Sequence, residues 1–379
     1  MMAITTSNSI SVNPRVRIGA VSFPVFRIHH DRVLHEEVNA LSINQLFALY
    51  ERTGFLYPGK AARLTPHLGQ VRENWRRMLR GGESLLYVIS AGNEKSGRAS
   101  IAVWRTTLHG WMSQHLVSEN NPLGSRAVML AGTAASILRG VDQSYQNWFR
   151  PDNRFPSRVF GSMPQTIGAS SSSVQQHMYF ALSRKLSLPP TAIRVVPYDP
   201  SHKAALCEIA RVNRGQVYVA AEELEADVEL KAVDELYRSV GLRRTRQVWL
   251  AYPDGKNEPI GAAIAYRGPL GANFSYLENR CDLLLHPKLA ESDAPDVVVG
   301  LLRASLAAYE DFELDAIPVI ADSIASIVLI QLGAEYLRDY CQGIWLKDGN
   351  LRFYRHIDGF YSKMVMRLER HAVDHAVAF

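Results

Sequence analysis

Cysteine is scarce in this chain. Three residues, Cys207, Cys281 and Cys341, are scattered through 379. An odd, unpatterned set excludes a disulfide framework and reads as reduced thiols. Long apolar runs are missing as well: no stretch of about 18 apolar residues occurs, so no segment reads as a membrane-spanning helix. Charge of one sign is not in large excess, with 42 Lys and Arg against 37 Asp and Glu. The basic clusters Arg76-Arg77 with Arg80, and Arg243-Arg244 with Arg246, are short. Neither a zinc-finger spacing nor an aromatic RNA-binding signature accompanies them. They read as solvated helix ends or contacts to a small phosphorylated ligand, and nucleic acid is not an expected partner. There is no Cys-x-x-Cys pair, no Gly-x-Ser-x-Gly elbow and no Walker lysine loop, and no metal is expected.

What is present is a folding chain. At 47% hydrophobic residues it has the apolar surface to offset ordering entropy. Its length is about twice that of one typical domain. Residues 1–14 are polar, without a basic stretch followed by an apolar one, and read as a loose tail rather than a signal peptide. A cytoplasmic protein is expected. Ser187-Leu-Pro-Pro-Thr191 breaks any helix, and divides the chain into domains at 15–186 and 192–379.

Element patterns follow the same division. In the second part, helical segments at 201–213 and 222–240 precede strands at 247–252, 260–267 and 273–285. A helix at 296–312, a strand at 316–321, a helix at 323–332 stopping at Gly333, and a strand at 335–347 complete it. In the first part, helices at 42–52 and 58–80 precede strands at 84–90, 99–107 and 111–118, then a helix at 125–138. Arg158–Phe160 reads as a strand, 174–185 as a helix, and the aromatic-basic segment 351–370 as an added strand.

Ala325-Ser-Ile-Val-Leu-Ile-Gln-Leu-Gly-Ala-Glu-Tyr336, Ala192–Asn213 and Trp111–Leu130 resemble segments of the GCN5-related N-acetyltransferase (GNAT) superfamily. The resemblance implies an α/β (α+β) fold: two tandem GNAT-like domains, each a mixed, mostly antiparallel sheet flanked by helices. It also implies acetyl-CoA or another acyl-CoA as co-substrate and a small-molecule or protein amine as acceptor. The implied function is acyl-CoA-dependent N-acyl transfer, more in the first half than in the second. The alternative is a catalytically silent member of the fold, serving as a ligand sensor or protein-binding regulator.

Site residues follow from that resemblance. Leu123, Gly124, Ser125 and Arg126 open a helix after a strand, where free N–H groups suit a pyrophosphate. The bland reading is an ordinary helix start capped by Asn121 or Ser125. His115 and Glu119 are candidate bases, and Tyr179 a candidate acid; Tyr179 is equally a core aromatic. In the second half, Leu329 stands where the family often has its acidic Tyr. Glu278 and Asp282, placed on one strand face, are candidates for holding a cationic amine, or are exposed polar residues.

Overall fold

The computed structural model describes the backbone of residues 10–18, 21–28, 41–93, 95, 97–140 and 142–377. Residues 1–9 of the expected tail lie outside these. Its residues 10–14 fall in strand β1 (Ile10–Ile18), which pairs antiparallel with β2 (Val21–Ile28). Val12, Val16 and Ile18 in β1, with Val21, Val25 and Ile28 in β2, are β-branched strand formers.

Helix α1 (Ile43–Arg52) begins at a capping box made by Ser42 and Gln45. After it come α2 (Pro58–Leu64), α3 (Leu68–Arg80), β3 (Leu86–Asn93), β4 (Gly97–Arg105) and β5 (Gly110–Ser118). Next are α4 (Pro122–Arg139), β6 (Ser144–Phe149), α5 (Arg154–Phe160), α6 (Met163–Thr166) and β7 (Ser172–Ser183). The remainder runs β8 (Arg194–Pro197), α7 (Lys203–Ala221), α8 (Lys231–Arg238), β9 (Thr245–Tyr252), β10 (Gly261–Arg267) and β11 (Cys281–Leu285). It ends with α9 (Ala294–Ser305), β12 (Ala316–Ala321), α10 (Ser323–Gln331), β13 (Glu335–Leu346) and α11 (Asn350–Val377). The expected α/β class, a mixed and mostly antiparallel sheet flanked by helices, is what forms.

Eleven strands make one sheet in the order β3-β4-β5-β6-β13-β7-β12-β11-β10-β9-β8. Among the described residues, only β5–β6 and β11–β12 pair parallel. The centre of the sheet is an exchange. Strand β13 from the second half lies between β6 and β7 of the first, and β7 pairs on its other edge with β12. Helices α1, α3, α7 and α8 cover one face, while α4, α11, α9 and α10 cover the other.

Five element readings change. The helix read at 222–240 forms only as α8 (Lys231–Arg238), with 222–229 mostly turn. Residues 174–183 lie in β7, not a helix, and 184–185 in the turn after it: Val174, Met178, Phe180 and Leu182 alternate with Gln175, His177 and Tyr179, a period of two. Both faces of β7 are covered, so no solvent-exposed polar stripe marks it. Segment 351–370 lies in helix α11 rather than an added strand, with Phe353, Ile357 and Tyr361 buried at four-residue spacing. Arg158–Phe160 lies in helix α5. The strand read at 273–285 begins only at Cys281, because Tyr276 is left-handed (φ 58°) and 277–279 form a tight turn. Helix α10 does stop as read. The Gly333 N–H bonds the Ile330 carbonyl and the Ala334 N–H the Leu329 carbonyl, closing a Schellman motif on a glycine at φ 86°.

Candidate functional site

Strands β5 and β6 pair only from Gly110–Ser144 to Met112–Gln146, and then diverge. The other edge of β5 slips register against β4 between Ser100 and Ala102. His115 sits at this irregularity with φ 58°, a conformation a side-chain-bearing residue holds at a cost of about 1–3 kcal/mol. A second divergence lies between β11 and β12, which pair only at Cys281–Val319 and Asp282–Ile320. In the first opening, the Gln114 side-chain amide donates to the Trp148 carbonyl at 2.9 Å, bridging the diverging strands.

His115 is sealed. Its ring stacks on Phe274 (centroids 4.3 Å apart) and on Trp75 (5.4 Å), with Tyr50, Phe55 and Trp104 around it. Burial, then the charge of Lys60, hold its pKa well below the ordinary value. It is a neutral imidazole enclosed by aromatic rings. Glu119 is tied down as well: it pairs with Arg52 at 2.7 Å and accepts from the Arg98 N–H at 3.0 Å. Burial works to raise the Glu119 carboxyl, but these partners outweigh it and hold it low. Tyr179, on a strand rather than a helix, donates to the Ser275 carbonyl at 2.8 Å. Burial and then Tyr340 push its hydroxyl up.

The start of α4 carries the four residues proposed for a pyrophosphate. Pro122 has no N–H. The Gly124 N–H donates to the Asn121 carboxamide at 2.7 Å, and the Ser125 N–H to the Asn121 carbonyl at 3.0 Å. Asn121 is therefore the cap, and the same carboxamide donates to the Gly97 carbonyl at 2.9 Å. A Cβ on Gly124 would meet Asn121 at 2.6 Å and Ala99 at 3.1 Å. The space glycine leaves is filled by protein. Leu123 is half-buried beside it, and Arg126 is turned to Asp358 of α11 at 2.6 Å. In this arrangement the residues do not fit an acyl-CoA pyrophosphate. At the corresponding start of α9, Pro295 lacks a donor and Asp293 and Asp296 add negative charge.

Glu278 and Asp282 are neither exposed nor on one strand face. Glu278 lies in the turn before β11 and pairs with Arg244 at 2.6 Å; both are buried. Asp282 pairs with Arg280 at 2.9 Å and accepts from Tyr218 at 3.1 Å. They belong to a buried ionic layer on the α7 face of the sheet, so they cannot receive a cationic amine without losing an arginine. Glu222 is its hub, reaching Arg246 at 3.2 Å, Arg280 at 3.4 Å and the Gln146 amide at 3.2 Å. Arg280 also lies over the Tyr266 ring at 3.9 Å. Beside this layer, α7 breaks at Gly215 (φ 81°, ψ 167°), and Arg214 contacts the His177 ring. Burial, then Arg214 and Arg280, hold the His177 pKa well down. Thus Arg244 and Arg246, read as solvated or ligand-facing, are buried structural cations.

The first half also carries a cluster that sequence reading missed. Tyr57 and Lys60, at the start of α2, meet Arg150 at the end of β6 and Arg338 of β13. Lys60 lies 3.9 Å over the Phe55 ring and 5.1 Å from that of Tyr57. Arg338 and Arg150 flank the Tyr57 ring at 5.5 and 5.8 Å. Burial, then Arg150 and Arg338, lower the Lys60 pKa from 10.5 to about 7. Its charge is thus a burden on the folded state below about pH 7, relieved as pH rises towards 10.5. Lys60→Met is expected to stabilise the fold by about 2 kcal/mol at pH 6, with the gain shrinking to nothing near pH 10. Urea unfolding at the two pH values checks this.

Among the described residues no group of three metal-ligating side chains converges. A His-x-x-x-His pair, His371 and His375, lies near the end of α11, and its side chains are outside the described residues. No described helix is long and apolar enough to cross a membrane.

Neither family models nor curated proteins give a match to this chain. Among solved structures it is similar to a tandem GNAT protein from the clavulanic acid biosynthesis pathway, without AcCoA, at 10% identity and TM-score 0.38, over 73% of this chain and 88% of that one. It is similar to a GCN5-related N-acetyltransferase from Sphaerobacter thermophilus at 12% identity and TM-score 0.42, over 73% and 85%. An acetyltransferase from the GNAT family of Colwellia psychrerythraea aligns at 10% identity and TM-score 0.35, over 83% and 99%.

Proposed function

We propose that this chain is a ligand-binding protein on an acyltransferase-like scaffold, catalytically silent towards acyl-CoA. The observation that carries this reading is the start of α4, where Pro122 lacks an N–H, the Asn121 carboxamide takes that of Gly124, and protein fills the space beside Gly124. The surroundings of the candidate acid and bases support it: Tyr179 is bonded to a carbonyl, His115 is walled in by aromatic rings, and Glu119 is held by Arg52.

A second reading, acyl-CoA-dependent N-acyl transfer in the first half, draws on the β5–β6 divergence and the slip at His115. It requires the Asn121 carboxamide to leave both of its bonds. Thermal unfolding with 1 mM acetyl-CoA separates the two, since a ligand of the native state raises the midpoint. No shift is expected. A saturable shift that Leu123→Glu removes would overturn the closed start of α4, and acetyl transfer to an added amine would then establish the second reading.

A further inference from the structure

We propose that Lys60, Arg150 and Arg338 form a binding site for an oxyanion, a carboxylate or phosphate group on a small ligand. The inference rests on the ligand-binding reading and names the chemistry of the ligand.

Three cations from separate parts of the chain converge on one ring. Lys60 comes from α2, Arg150 follows β6, and Arg338 stands on β13 where its register against β7 slips between Tyr336 and Arg338. Arg338 donates to the Tyr57 hydroxyl. Arg150 spends its Nε on Asp152 at 3.2 Å, an exposed pair of small worth. Among the described residues, neither Lys60 nor Arg338 has a carboxylate partner. Three like charges held close repel one another, and aromatic faces offset that only in part. The depressed Lys60 pKa reports the same strain.

The contrast with the ionic layer is informative. There, Arg244, Arg246 and Arg280 each meet a carboxylate of this chain. Around Tyr57, the missing negative charge is left for a ligand to supply. Lys60, Arg150, Arg338 and Tyr57 are all half-buried rather than sealed, so a small anion can reach them. Two guanidinium groups offer paired donors to an oxyanion, and the ammonium adds a third direction. Tyr57 and Phe55 give the rest of the ligand an apolar wall.

The test is thermal unfolding of the full chain with inorganic phosphate or acetate, from 0 to 50 mM, at ionic strength held constant with KCl. Wild type should gain a saturable rise of several degrees with at least one anion. Arg338→Gln and Lys60→Gln should each lose most of it. Arg194→Gln, at an exposed arginine of edge strand β8, should keep it. A rise with phosphate alone assigns a phosphorylated ligand, and a rise with acetate alone a carboxylate. A midpoint that neither anion raises, or a rise that Arg338→Gln retains, would overturn the site. An acetyl-CoA shift that survives Arg338→Gln would instead overturn the silent reading and leave the site to be judged by the anion titrations.

Discussion

Glu222→Ala is expected to destabilise the chain by about 3–5 kcal/mol, because it leaves buried cations without their shared anion. Glu222 is 3% exposed and bridges Arg246, 0% exposed, and Arg280, 2% exposed. Arg280 keeps Asp282 as a partner, whereas Arg246 keeps only backbone carbonyls, those of Glu222, Asp227 and Val228. A total stability of about 5–15 kcal/mol is ordinary for a domain, so the variant should be largely unfolded at moderate urea or recovered as aggregate. Glu222→Gln keeps an acceptor for Arg246 and a similar shape, and should cost less than half as much. Urea midpoints with unchanged slopes would measure both. A Glu222→Ala midpoint within error of wild type would show that the layer is solvated enough to do without its hub.

The second large effect concerns cutting the chain at Pro189–Pro190, the boundary proposed between two domains. Neither piece is expected to fold alone. Without the second half, β6 loses β13 and β7 loses both β13 and β12. Three open edges, one on β6 and both on β7, bearing Trp148, Phe149 and Phe180, would then face water. Without the first half, β13 and β12 lose β7 between them. The expected result is two insoluble or unfolded pieces when made separately, and a soluble one-to-one complex when they are made together. Circular dichroism and size-exclusion chromatography would decide it. A cooperative thermal transition from residues 1–189 alone would show that the first half completes its own sheet.

Much of this fold was legible because its signals are local. The strands at 247–252 and 260–267, the glycine stop after α10 and the helix at 125–138 all depend on neighbours in sequence. The alternative of Asn121 as helix cap was legible for the same reason. Strand β7 was not: a strand covered on both faces shows no clean alternation of apolar and polar residues, and residues 174–185 read as an amphipathic helix. Helix α11 was misread because its aromatics suggested alternation, while the burial of Phe353, Ile357 and Tyr361 follows a four-residue step.

The sites divide similarly. Glu278 and Asp282 looked like free carboxylates because their partners lie elsewhere: Arg244 is remote in sequence, and Arg280, though adjacent, required the turn at 277–279 to be seen. Lys60, Arg150 and Arg338 share no spacing at all. Only the pairing of β13 with β6 and β7 brings Arg338 beside Arg150.

The central position of β13 sets an order of events during synthesis. The first half emerges from the ribosome with β6 and β7 already made, yet the strand that belongs between them is encoded near the end of the chain. At about 5–20 residues per second, those edges wait on the order of ten seconds for their neighbour. During that wait the nascent chain is most exposed to pairing with another copy of itself. Slower translation, or loss of a chaperone that shields strand edges, should therefore lower the yield of soluble protein without altering the stability of the molecules that do fold.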